Sequence, residues 1–419
     1  MSDHPTAIVI GGSIGGLFAA SLLRAQGWDA TVYERSRGDL SGRGAGVGIT
    51  QELLDAMGRI GLPFDPSIGV SVRSYVWLGA DGTLRHEHPR PMVASAWSSV
   101  YRPLRNAFPE ADYRTGKSLA RIEETADGVT AIFEDGSRAS GDLLVAADGN
   151  LSTARAQYQP DATPRYAGYV AWRGVVSEGD VPEATRAAVS EHLAFSFHEG
   201  ELMLTMMVPG ADDDVRPGHR RYYFIWYRPT ENEAALADLH TDADGKNHGL
   251  SIPPPLIRPE LQAGVRAAAR AQFAPEVSAV VGAVPQLLLQ AITDLETPRL
   301  VFGRTALIGD AAFIARPHVA AGITKAALNA ETLAVAVGDG SGDLDAALAT
   351  YAAQASDFGK AMVGHARALG SYVGSGPDSP PPPPEHARYR DPVNVMLDYG
   401  APRLLHDADP AKFMVSAGT

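Results

Sequence analysis

The stretch Ala7 to Glu34, "AIVIGGSIGGLFAASLLRAQGWDATVYE", leaves the N-terminal part of this chain few ways to fold. "AIVI" is too short for a helix and reads as a buried strand. The glycine-rich turn "GGSIGG" follows. Apolar residues then recur at helical spacing through "LFAASLLRAQG", which Gly27 ends, and "DATVYER" reads as a second strand. Strand, turn, helix and strand make a βαβ unit, and Gly11-x-Ser13-x-x-Gly16 sits at its turn. Gly11 permits the tight turn, and Gly16 permits close packing of helix on strand. Ser13 takes the middle glycine position, where a small hydroxyl still admits a phosphate. The helix N-terminus offers unpaired N–H groups to a pyrophosphate. Glu34 ends the second strand, near the offset at which an acid takes ribose hydroxyls. Gly11, Ser13, Ile14, Gly16 and Glu34 are therefore the expected dinucleotide-binding set.

At 419 residues, two intimately packed lobes are expected. Hydrophobic residues are 45% and charged residues 20% of the chain, the balance of a globular protein. A net charge of −13 argues against nucleic acid and anionic membranes, which need a basic face. With no cysteine there is no disulfide, thiolate nucleophile, zinc ribbon or redox-active cysteine pair, so redox chemistry would need a bound cofactor. No metal site is expected. The uncharged run Ala7 to Leu23 superficially resembles a signal peptide core. Its flank holds Asp3 and no Lys or Arg, four glycines interrupt it, and it is short for a membrane span. A cytoplasmic location is the expectation.

Further along, Tyr166 to Tyr227 changes character. "YAGYVAWRGVV", "HLAFSFHEG", "ELMLTMMVPG" and "RYYFIWYRP" alternate between turn signals and predict an antiparallel sheet. Alternation sets Leu193, Phe195 and Phe197 on one face and His192, Ser196 and His198 on the other. The polar face would suit a substrate floor, or solvent equally well. The chain is alanine-rich and helical from Ile323 to about Gly370, and "SGPDSPPPPPEH" predicts an extended linker. The tail beyond Arg388 carries Val393, Val395, Met396, Leu397 and Tyr399, enough to dock on this chain or on a partner subunit.

Two more stretches complete a pattern. "DLLVAADGNLSTAR", Asp142 to Arg155, has an acid after a strand and an arginine on the next helix. "LIGDAAFIARPHVAAGITKA", Leu307 to Ala326, ends a greasy strand in Gly309-Asp310 and continues through Pro317 and His318 into a run of small residues. Together with the N-terminal fingerprint, in this order, they resemble the aromatic flavoprotein monooxygenases of the para-hydroxybenzoate hydroxylase type, the single-component FAD enzymes. The resemblance spans Ala7 to Ala336. "YAGYVAWRGVV", "FIWY" and the 307–326 stretch are most similar to the 2,6-dihydroxypyridine hydroxylase branch of that family. Ser13 fits that branch. So does Ala320-Ala321-Gly322, where the wider family has Gly-Gln-Gly.

The resemblance implies a mixed α/β (α+β) fold: a Rossmann-like FAD-binding domain, an inserted antiparallel-sheet substrate domain and C-terminal helices. The FAD-binding domain would take residues 1–75, 97–165 and 291–370, the substrate domain 76–96 and 166–290, and the linker and tail 371–419. Asp310 would accept from the ribityl chain and Pro317 would fix the turn. Ala320, Ala321 and Gly322 would lie against the flavin ring, and the helix starting near Ile323 would favour the anionic reduced flavin. Asp148 belongs to the family's Asp-Gly motif, Arg35 would lie along the adenine, and Arg43 and Arg102 would approach the flavin and pyrophosphate. The implied reaction uses NADH or NADPH, FAD and O2 to hydroxylate a small, electron-rich hydroxypyridine-type ring through a flavin C4a-hydroperoxide. His318, just after the turn proline and of a type whose ordinary pKa lies near neutrality, is the candidate base. A purely turn-shaping role is the alternative, and His192 and His198 are the competing bases. Tyr169, Trp172, His198, Tyr223 and Trp226 would face the substrate. No nucleic acid or membrane partner is expected, and the tail leaves room for a homodimer. Two rivals stand beside this: an FAD monooxygenase of another scaffold (urate-like, phenolic or polyketide), and a flavin-fold binding protein without turnover. A disulfide reductase is excluded by the missing cysteines, and a tryptophan halogenase is disfavoured because no Trp-x-Trp-x-Ile-Pro run occurs.

Overall fold

The computed structural model describes residues 4–41, 46–62, 69–125, 128–374, 383–400 and 404–405. The N-terminal βαβ unit forms as its periodicity dictates. Thr6–Ile10 and Asp29–Glu34 are parallel neighbours, joined by a helix at Ile14–Ala25. Leu143–Ala146, a four-residue run buried on both faces, pairs in parallel on the other side of Thr6–Ile10, and Thr305–Leu307 follows beside it. The six-stranded sheet is completed by Val301–Phe302 at one edge and Tyr113–Thr115 at the other. Three stretches far apart in sequence thus lay the ends of their strands side by side: the fingerprint turn, the Asp148 turn and the Asp310 turn. Crevices at such strand ends are where open parallel sheets bind ligands.

A nine-stranded sheet forms the second layer. Its strands lie in the order Phe313–Ile314, Leu288–Glu296, Arg165–Ser177, Arg221–Pro229, Glu201–Val208, His192–His198, Val70–Leu78, Leu84–Ala96 and Gly46–Ile49. Neighbours are antiparallel except His192–His198 with Val70–Leu78, which run parallel. The sheet therefore reaches beyond the segments assigned to it from sequence, taking in Gly46–Ile49 and Val70 at one end and Phe313–Ile314 at the other.

Alternation assigns each strand residue to one of two hydrophobic cores. Val170, Trp172, Met203, Phe224, Trp226 and Ala291 pack under the helices Pro259–Gln272 and Pro275–Ala283. Tyr169, Ala171, Leu193, Phe195, Leu204, Tyr223, Ile225 and Ile292 join the larger core with the six-stranded sheet and its helices. The helix layer crowds its face: a Cβ on Gly174 would stand 2.5 Å from the Val284 Cγ1 methyl.

The alanine-rich region is two helices, Gly322–Val337 and Leu344–Gly370, separated near Gly338. The proline run at 375–382 lies outside the described residues. The tail returns to the body of this chain, where Pro392–Asp398 is helical and Val395 and Met396 are fully buried. Among the described residues no helix is long and apolar enough to cross a membrane, and no group of three or more His, Asp or Glu is placed to hold a metal.

Candidate active site

One cavity of about 480 Å3 lies between the parallel strand ends and the larger-core face of the nine-stranded sheet. Its sheet wall is mostly apolar, with Leu193, Leu204, Met206, Ile225 and Ile292, and carries Arg173, Gln290 and Tyr223. The opposite wall is made of three turns: Ser13–Gly15, Gly149–Asn150 and the segment Ile308–Ala326.

Close backbone packing builds the turns. A Cβ on Gly16 would stand 1.8 Å from the Gly11 carbonyl oxygen, so only glycine lets the helix meet the strand there. Ser13 and Ala321, the residues before the two helices that open on the cavity, make no side-chain cap bond. Their first-turn N–H groups, and the positive ends of both helix dipoles, are therefore left to the cavity. A Cβ on Gly322 would meet nothing within 4 Å, so its bareness serves the cavity and not the packing. Ala320 sits in the left-handed region (φ 47°), a conformation costing roughly 1 kcal/mol for a residue with a Cβ. It turns the chain sharply into the helix that follows.

Charged groups tie the turns together. Arg155 is 3% exposed, and its guanidinium donates to the carbonyls of Asn150, Ala162 and Ala311. It clamps the Asp148 loop to the Asp310 turn. The Asp148 Oδ2 accepts from the Ala154 N–H, while its buried Oδ1 has no hydrogen-bond partner, and burial pushes the carboxyl pKa up. The Asp310 carboxylate reaches the cavity half-exposed and pairs with Lys325 Nζ, whose side chain is only 2% exposed and also donates to the Phe313 carbonyl. Lys325 was missed in the sequence. Its only signal is a lone cation in an apolar helix.

Ser13, Ile14, Asp310, Pro317, Ala320, Ala321, Gly322, Ile323 and Tyr223 all line the cavity. Gly11 and Gly16 stand behind it, holding the fingerprint turn. Glu34 is buried at the end of its strand, and its carboxylate accepts the N–H groups of Gly12 and Ser36, both at 2.8 Å. Arg35 is exposed. Arg102 is held by Asp213 at 2.9 Å, away from the cavity wall. Arg43 lies outside the described residues.

The substrate-facing set needs correction. Trp172 and Trp226 pair across adjacent strands on the helix-covered face, and Trp226 and His198 pack their rings on Phe273 there. The polar face of His192, Ser196 and His198 turns away from the cavity, and the apolar face lines it opposite the three turns. Tyr169 lies on the cavity's side of the sheet but behind its surface, with its hydroxyl on His318.

His318 is also placed differently from a direct base. It is 0% exposed, absent from the cavity wall, and packed between Tyr169 and Tyr227, with Nε2 2.7 Å from the Tyr169 hydroxyl and Nδ1 unpartnered. Burial, with the nearby Arg316 charge, pushes its pKa down to about 3, so it is neutral at pH 7 and a weak proton acceptor. A depressed histidine pKa means that the unfolded chain takes up the proton first. The stabilisation is complete above pH 6.5 and is lost as pH falls from there towards 3, at about 1.4 kcal/mol per unit. His318→Gln is therefore expected to show a shallower loss of unfolding free energy than the wild type between pH 6.5 and 5. Parallel slopes in denaturant titrations would count against a buried neutral imidazole.

Two further cavity residues, Tyr227 and Tyr399, lie in stretches read from the sequence but were not among its candidate site residues. Tyr227, opposite the turn, has a buried hydroxyl with no hydrogen-bond partner. Tyr399 comes from the tail and packs edge-on against Phe195. Its segment is pinned by Arg90, which donates to the carbonyls of Leu397 and Tyr399, and by the Gly400 N–H on the His318 carbonyl.

Uncapped helix ends and small-residue turns facing an apolar wall suit a dinucleotide that lays a flat ring against backbone. Comparison with known proteins gives the family. A family model described as FAD binding domain-like matches residues 166–294. The chain is 30% identical to 2,6-dihydroxypyridine 3-monooxygenase of Paenarthrobacter nicotinovorans, over 94% of this chain and 96% of that one. It is 32% identical to FAD-dependent urate hydroxylase of Klebsiella pneumoniae, over 86% and 88%. Among solved structures, 2,6-dihydroxypyridine-3-hydroxylase of Arthrobacter nicotinovorans superposes with a TM-score of 0.83 at 29% identity, covering 92% of this chain and 97% of that one. The chain belongs to the FAD-dependent aromatic monooxygenases.

The residues present fit FAD. The two uncapped helix N-termini suit its pyrophosphate and the electron-rich edge of its ring, and the bare surface at Gly322 suits a ring lying against backbone.

Proposed function

We propose that this protein uses FAD, NADH or NADPH, and O2 to hydroxylate an electron-rich aromatic N-heterocycle of the hydroxypyridine type. One observation carries the reading: the Pro317–Gly322 turn and the apolar sheet face enclose a single cavity. The 94% span shared with a dihydroxypyridine monooxygenase supports the choice of ring. The overall change is balanced as ring–H + O2 + NAD(P)H + H+ giving ring–OH + H2O + NAD(P)+. FAD, when bound, supplies the acceptance of two electrons from nicotinamide and their delivery to O2.

The chain's own residues bind, orient and exclude water. The first-turn N–H groups after Ser13 would hold the pyrophosphate. Glu34, with lone pairs to spare beyond its two backbone bonds, would hold the adenosine ribose. Asp310 would take the ribityl hydroxyls, and Ala320 to Ile323 would carry the ring. Leu193, Leu204, Met206 and Ile225 keep the substrate side dry, which strengthens every polar contact made there. His318 and Tyr169 brace the turn from behind.

The test is NAD(P)H oxidation and O2 uptake by the yellow holoenzyme with 2,6-dihydroxypyridine, urate and simple phenols, with products weighed for one added oxygen. Turnover of urate alone would move the substrate to the urate type, a reading favoured by the 32% identity to a urate hydroxylase. Absence of flavin and of turnover with every ring would favour a binding protein. The domain limits stated from sequence, a cytoplasmic location and a homodimer stay part of this proposal. Limited proteolysis, cell fractionation and size-exclusion chromatography with light scattering test them.

A further inference from the structure

Among the described residues three cations line the cavity, and two are neutralised in place. Lys325 pairs with Asp310, and Arg316 pairs with Asp294 at 2.7 Å. Arg173 differs. It projects from the middle of strand Arg165–Ser177 on the cavity face, flanked by Ala171 of the same face and by Gly174 of the helix-packed face. No carboxylate pairs with it among the described residues. Its neighbours are hydroxyl and amide groups: Tyr223 and Tyr227 on the adjacent strand, and Gln290 on the other side. The surrounding wall is Leu204, Met206, Ile225 and Ile292, with little else to satisfy a guanidinium. A cation in such a setting wants an anion, and the guanidinium's planar fork suits an oxyanion.

We propose that Arg173 is the substrate's anion anchor: the ring enters as an oxyanion, with its negative oxygen on the Arg173 guanidinium beside Tyr223 and Gln290. This rests on the hydroxypyridine reading and deepens it. The proton of the ring hydroxyl leaves to water before or during binding, and the charge it leaves behind spreads into the ring carbons. An electron-rich ring is what electrophilic hydroxylation needs, so the cation does by electrostatics what a general base would otherwise do. This accounts for a cavity whose nearest imidazole is walled off and neutral. Among the described residues, the other ionisable groups facing this volume are Tyr75 from strand Val70–Leu78, Tyr399 from the tail, and Arg316 with the Asp310–Lys325 pair from the turn side. Of these the tyrosines Tyr75 and Tyr399 are held protonated by burial, which leaves Arg173 as the charge the ligand meets on the sheet wall.

The experiment uses FAD-loaded protein without nicotinamide and follows flavin fluorescence as ligand is added. The probes are 2,6-dihydroxypyridine, which can ionise, and 2,6-dimethoxypyridine, which cannot. Arg173→Gln is expected to weaken the dihydroxy ring on the order of 10²-fold and leave the dimethoxy ring within about threefold, while Arg173→Lys keeps most of the affinity. The absorption of the bound ring gives a second readout. It should be the anion spectrum in the wild type, below the free ligand's pKa, and the neutral spectrum in Arg173→Gln. Equal losses for both rings, or a neutral spectrum in the wild type, overturns the anchor. If the wild type binds neither pyridine, the hydroxypyridine reading fails by itself. The same variants are then titrated with urate, an anion at neutral pH, where an unchanged affinity in Arg173→Gln overturns the anchor in turn.

Discussion

Gly322→Val is expected to give a folded protein that does not retain flavin. The substitution separates cofactor binding from folding because of where this glycine stands. A Cβ there meets nothing within 4 Å, and its φ is not in the left-handed region, so the protein itself accommodates a side chain. Valine is also a better helix residue than glycine by a few tenths of a kcal/mol, so thermal stability should hold or rise slightly. The isopropyl group nevertheless fills space at the cavity wall where the ring is proposed to lie. Overpacking of about 1–3 kcal/mol lowers flavin affinity on the order of 10- to 100-fold, enough to lose flavin during purification. Gly16→Val cannot make this distinction, since its side chain would strike the Gly11 carbonyl at 1.8 Å and damage the fold directly. The check is the flavin-to-protein absorbance ratio beside a melting curve. Full flavin content in a stable Gly322→Val protein would remove the ring from this turn.

Asp310→Ala should lose flavin and stability together, for separable reasons. The carboxylate is half-exposed to the cavity, where the ribityl hydroxyls proposed above would make charge-assisted bonds with it. Its partner Lys325 is 2% exposed, so removing the acid strands a buried ammonium on the Phe313 carbonyl alone. Breaking a buried pair costs about 3–5 kcal/mol, and the exposure of Asp310 argues for the low end or somewhat below it. The double variant Asp310→Ala/Lys325→Met is expected to recover most of the lost stability while still purifying without flavin. Recovery of flavin in the double variant would mean that Asp310 acts only by neutralising Lys325. Unchanged flavin in the single variant would mean that it does not hold the cofactor.

Elements whose code is local were legible in the chain. The periodicity of Ala7 to Glu34 fixed the βαβ unit, its glycine turn and the place of Glu34 at the end of the second strand. The small residues at Ala320 to Gly322 announced a surface that something must approach closely, and those residues do line the cavity. Strand alternation correctly divided Leu193, Phe195 and Phe197 from His192, Ser196 and His198. Which of the two faces looks onto the cavity was beyond it. A period of two states that a sheet has two faces and is silent about what covers each, and here helices from residues 259–283 cover the one with the histidine and the tryptophans.

The same limit explains the other corrections. His318 follows the turn proline in sequence, but the single 3-10 turn at Pro317–Val319 spreads its three side chains around the turn axis, so Pro317 and Val319 line the cavity while His318 points into the core against Tyr169. The pairing of Asp310 with Lys325 and the reach of Arg155 from one motif to another are contacts between separate elements, with no periodicity to betray them. Tyr399 arrives through a tail whose destination no local signal specifies. By itself the sequence determined the N-terminal βαβ unit, the two faces of the central strands and the small-residue turns, because backbone geometry and side-chain size are properties of neighbouring residues. Only the tertiary structure decided which face is the wall, that Arg173 stands there without an acid among the described residues and that the histidine is walled off, because burial and charge pairing belong to residues that folding brings together.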